Sequence, residues 1–79
     1  MQNLNAPKGW TLDIEKDYIA FSEGNYYAVN QALVYRITKK EVVQRNTFTG
    51  KEKVLSQNMN KTRALKLMRE YVKTSFQRL

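Results

Sequence analysis

Cysteine and histidine are both missing from the 79 residues. Without cysteine there are no disulfides and no thiolate metal sites. Without histidine there are no imidazole ligands, no His-based acid–base relay and none of the usual serine or cysteine triads. The three glycines, Gly9, Gly24 and Gly50, stand too far apart to form a phosphate-cradling loop. No apolar run approaches the roughly 18 residues that a membrane span needs, and no signal-peptide pattern opens the chain. These absences point to a cytoplasmic protein that is not an enzyme, does not enter a membrane and carries no cofactor.

Acidic residues are also scarce, seven against fourteen Lys and Arg, which leaves a net charge of +7. The imbalance is uneven. Residues 1–23 sum to −2, with Asp13, Glu15, Asp17 and Glu23 against Lys8 and Lys16, and residues 24–79 sum to +9. Positive charge gathered in one part of a small chain is the electrostatic footprint of a polyanion binder.

Residues 60–79 are the clearest structural statement. Asn60 suits an N-cap, and Ala64, Leu65, Met68, Val72, Phe76 and Leu79 recur at helical spacing with Tyr71 at the edge of the stripe. Thr62, Arg63, Lys66, Arg69, Glu70, Lys73 and Gln77 fall opposite, so the spacing predicts an amphipathic helix with a basic outer face. A lone helix of this length is marginal in water and needs a surface to pack on.

The preceding residues predict that surface to be a sheet. Residues 1–7, with Pro7 as the only proline, read as a loose lead-in to one α+β domain over residues 8–79. Trp10, Leu12 and Ile14 alternate with Thr11, Asp13 and Glu15, the period of a half-buried strand. Residues 18–21 and 26–29 predict a hairpin about the turn at residues 22–25. Val29, Ala32, Leu33 and Ile37 also fit a helical stripe. Alternation of Leu33, Tyr35 and Ile37 with Val34, Arg36 and Thr38 decides for a strand. Residues 42–48 and 53–57 follow as strands about a loop containing Gly50. The fold class predicted is α+β: an antiparallel meander of four to five strands packed against one C-terminal amphipathic helix.

Two constellations carry possible chemistry. Asp13, Glu15 and Asp17 sit two apart, so a continuous strand projects all three from one face. Oxygen ligands suit Mg²⁺, but the wet face of an edge strand explains them better, and no metal site is assigned. The second constellation is basic. If Leu33, Tyr35 and Ile37 face the helix, Arg36 faces away, and Arg45 and Thr47 can share that open face. Lys39, Lys40, Lys51 and Lys53 stand at the hairpin ends. Such cations give phosphate contacts, and since either Tyr26 or Tyr27 must face outward, that ring, taken as Tyr26, can stack on an unpaired base. Lys66, Arg69 and Lys73 form a second basic strip along the helix, where a solvated face is the plainer explanation.

Element order over residues 26–76 is similar to two kinds of nucleic-acid-binding domain, although no motif of either is matched. One is the three-stranded sheet plus helix of plant-type transcription-factor and phage-integrase arm-binding domains. The other is the four-strand-plus-helix unit of coactivator-type single-strand binders. The resemblance adds to the charge argument. The reading is a small nucleic-acid-binding protein, with DNA slightly favoured over RNA. The alternative is an inhibitor or adaptor, of the sort mobile elements encode, docking on an acidic protein. A homodimer is the default assembly for so small a chain with an exposed sheet edge.

Overall fold

The computed structural model describes residues 6–23 and 31–79. Five antiparallel strands follow one another across a single sheet: β1 (Trp10–Ile14), β2 (Tyr18–Glu23), β3 (Gln31–Arg36), β4 (Glu41–Asn46) and β5 (Glu52–Ser56). Helix α1 (Lys61–Glu70) then crosses one face. This is the α+β meander with a C-terminal helix that the alternation and the helical stripe predicted. Among the described residues no helix is long and apolar enough to cross a membrane.

Strand alternation sorts the sheet into two faces. On the covered face, Leu12, Phe21 and Leu33 align across β1 to β3, and Ile14, Ile19, Tyr35 and Val42 align across β1 to β4. Ala64, Leu65 and Met68 of α1 close over them, and the core formed by Ile19, Phe21, Leu33, Tyr35 and Val42 with these three is almost dry. Burying a Leu or Met side chain stabilises by about 1.5–3 kcal/mol, which outweighs any propensity term in a ten-residue helix. β5 carries one extra residue opposite Val42 and Val43, and Leu55 packs against the core there.

Asn60 caps α1 as its chemistry predicts, its side-chain oxygen accepting from the Arg63 amide at 2.9 Å. Tyr35 Oη donates to the Met59 carbonyl at 2.7 Å and so fixes where the helix begins.

Three expectations need correction. The helix does not run to residue 79: after Glu70 it widens into a π-helical turn (Tyr71–Ser75), and Phe76, at ψ 126°, leaves it. Thr74 Oγ1 bonds back to the Glu70 carbonyl, a contact that bends helices. The hairpin over residues 18–29 is also displaced. Residues 26–29, Tyr26 included, lie outside the described residues, and the partner of β2 is β3, with Phe21 opposite Leu33. Lastly, β1 stops at Ile14, so Asp13, Glu15 and Asp17 do not share one strand face.

The tail beyond the π-helical turn lies back on the sheet and is held there by polar side chains. Phe76 meets Trp10 edge-on with ring centroids 5.3 Å apart, and Arg78 forks onto both carboxylate oxygens of Glu23 at 2.6 and 2.7 Å. Gln31, Gln44 and Asn46 are buried. Gln44 Nε2 donates to Gln31 Oε1 at 2.8 Å and to the Gln77 carbonyl at 2.7 Å, and Tyr71 Oη donates to Gln44 Oε1 at 2.6 Å. Asn46 Nδ2 donates to the Leu79 carbonyl, and the Leu79 amide donates to Gln31 Oε1. Among the described residues no buried side-chain polar atom lacks a partner.

Candidate functional site

Among the described residues no helix or second sheet covers the opposite face of the sheet. Asp13, Ala20, Val34, Val43 and Val54 form one row across all five strands, and Thr11, Ser22, Ala32, Arg45 and Glu52 form the next. Small residues on β2 and β3 leave a floor between longer neighbours, and the sheet's twist shapes it into a groove. The groove holds about 550 Å³. Ala20, Ser22, Ala32 and Val34 are its floor. Ala20 and Ala32 line this groove yet are only 4% and 5% exposed.

Those walls differ in charge. Asp13, Asp17 and Tyr18 line the β1–β2 side, and Arg36, Thr38, Lys39, Arg45 and Thr47 line the β3–β4 side. Tyr18 stands directly across from Arg36, and its hydroxyl points at Asp13 Oδ2 over 3.4 Å. Loss of solvent, and then the charges of Asp13 and Glu15, push the Tyr18 phenol up, so at neutral pH it is a protonated donor.

Arg36 lies on the open face as predicted but is committed to its neighbours. It bonds Glu41 Oε1 at 3.0 Å and Glu52 Oε2 at 2.7 Å. The Glu41 bond, aided by the charge of Glu52, raises its pKa against the effect of burial. Arg45 only touches this cluster, 3.9 Å from Glu52, with half its side chain exposed. Lys39 is exposed in the β3–β4 turn and has no ion-pair partner among the described residues.

The remaining predicted residues do not converge on the groove. Lys40 sits beside Lys39 in the left-handed conformation, φ 53°, which costs a side-chain-bearing residue about 1–2 kcal/mol. Its carbonyl receives the Met59 amide. Lys51 lies in the β4–β5 turn, and Lys53 lies opposite Gln44, which places it on the helix-side face at the β5 edge. Lys66 and Lys73 are exposed and Arg69 half-buried on the outside of α1 and the π-helical turn. They belong to the layer behind the sheet, so the two predicted basic surfaces are separate. Asp13 and Asp17 reach the groove and Glu15 does not line it; among the described residues no group of three or more carboxylates is placed to hold a metal ion.

Sequence reading missed the contributions of Tyr18, Thr38 and the acidic wall to this face. Register could have located Tyr18 and Asp13, because Tyr18 shares strand parity with Ala20 and Asp13 stands opposite Ala20. Comparisons with protein-family models, curated proteins and solved structures found no match.

Proposed function

We propose that the chain is a non-catalytic nucleic-acid-binding protein that takes a single strand along the open groove. The observation carrying this reading is the opposite charge of the two walls. A phosphate backbone suits Lys39 and Arg45 on one side. Asp13 and Asp17 repel phosphate but accept hydrogen bonds from exocyclic base amines, as carboxylates do from cytosine N4. One polar strand satisfies both walls if its backbone lies on β3–β4 and its bases point towards β1. A duplex brings phosphates along both sides of any groove and meets the acidic wall unfavourably. The preference for DNA over RNA rests on sequence resemblance alone.

The test is fluorescence anisotropy with labelled single-stranded DNA, RNA of the same sequence and duplex DNA, at 50 and 200 mM salt. Single strands are expected to bind more tightly than duplex. The K39A/R45A variant, which leaves the Arg36 bonds to Glu41 and Glu52 in place, is expected to bind more weakly. Its salt slope should be flatter by about 1.4, two contacts at about 0.7 each. Equal affinity in a folded double variant would overturn this placement of the site.

A second reading keeps an acidic protein as the partner of the helix layer. It is favoured by Lys61, Arg63, Lys66 and Lys73, which are exposed there without ion-pair partners among the described residues. Absence of nucleic-acid binding at the lower salt would favour that face as the binding surface.

A further inference from the structure

The turn between β4 and β5 presents an aromatic ring to water. Phe48 is 85% exposed, the most exposed of the large apolar side chains described. Isolated surface hydrophobes are ordinary, but this one stands on an unusually well-fixed base. Asn46 Oδ1 accepts from the amides of Phe48 and Thr49, both at 2.9 Å. The Asn46 carbonyl accepts from the Gly50 amide at 2.8 Å, and the Asn46 amide donates to the Lys51 carbonyl at 2.9 Å. Gly50 supplies the positive φ, 81°, that closes the turn. Asn46 is itself 4% exposed and tied to the Leu79 carbonyl through Nδ2. The ring therefore projects from a loop whose backbone order has already been established, so little is lost when a partner fixes it.

Its neighbours define the partner. Thr47, which precedes it in the chain, and Arg45 line the groove, and Lys51 is exposed three residues after Phe48. An exposed apolar ring with a cation three residues before it and another three residues after it, in the turn that follows a groove-lining strand, has the complement of an unpaired base between its phosphates. We infer that Phe48 is a stacking platform for a base of a single strand leaving the groove. The inference rests on the nucleic-acid reading above and adds a specific contact to it. Base–aromatic stacking is tolerant of sequence because every base has a π face, so the contact contributes affinity more than discrimination.

The test uses the full chain and a single-stranded DNA of mixed sequence with 2-aminopurine at successive positions, followed by its fluorescence and by anisotropy. Because Phe48 is exposed, the variants F48A, F48L and F48W are expected to melt as the parent does. F48A is expected to bind about tenfold more weakly and to lose the 2-aminopurine quenching at one position. F48W is expected to restore both, and F48L neither. If the parent binds and F48A binds equally well, the stacking role is overturned while the groove reading stands, a result separated by the loss in K39A/R45A. If F48L binds like the parent, the contact is apolar rather than stacking, and the inference fails. If no strand binds but the parent, and not F48A, binds vesicles of phosphatidylserine and phosphatidylcholine, the ring is a membrane contact and both readings fall. Failure of the parent to bind either probe also overturns both.

Discussion

Gln44 is a polar residue where alternation puts an apolar one. It shares strand parity with Val42 and lies opposite Leu33, and it is 1% exposed. Glutamine is usually a surface residue, and nothing local marks this one as buried except that parity. What makes the position tolerable is full hydrogen bonding, to Gln31, Tyr71 and the Gln77 carbonyl. Those partners are 13, 27 and 33 residues away, beyond the reach of any local pattern. Gln44→Leu keeps the volume but strips the Tyr71 hydroxyl of its acceptor and the Gln77 carbonyl of its donor. With three hydrogen bonds lost at about 1 kcal/mol net each, urea denaturation should show a loss of roughly 3 kcal/mol.

Strands and helix were legible to different degrees for one reason, the range of the forces that end them. The start of α1 is local: Asn60 bonds the amide three residues on, and its type is readable beforehand. Asn60→Ala is accordingly expected to cost about 1 kcal/mol, seen as a lower thermal midpoint with nearly unchanged circular dichroism. The other end is not local. Phe76 and Leu79 stay in phase with the stripe, so periodicity continues where the helix does not. The chain departs because Trp10, Glu23 and the buried amides hold residues 76–79 against the sheet. For the same reason alternation identified β3 as a strand but gave Ile37 an inward place. The strand ends at Arg36, and Ile37 is 38% exposed.

The uneven charge of the chain becomes a polarity across the sheet. Asp13, Glu15 and Asp17 stand at the β1 edge, while Lys51 and Lys53 stand at the β5 end, with α1 behind. Glu41 and Glu52 offset Arg36, so the open face is far less basic than the composition implies. That offset is invisible in a residue count because it depends on which strands become neighbours. Neutralising the acidic wall tests the orientation proposed for the strand. The D13N/D17N variant, with a net charge raised from +7 to +9, is expected to bind oligo-dT more tightly. It should also lose any preference for oligo-dC, whose bases carry the exocyclic amine that oligo-dT lacks. Anisotropy titrations of both oligomers on both proteins measure this.

The polar clasp on the tail has a consequence in time. It joins Gln31 to Leu79, 48 residues apart, whereas successive strands of the meander are close neighbours in sequence. Distant contacts carry the larger closure entropy and tend to form after local ones. A clasp that closes after the main barrier has little influence on how fast the sheet assembles. Its strength enters the reverse rate instead, so the last four residues set chiefly how long the folded molecule persists once made.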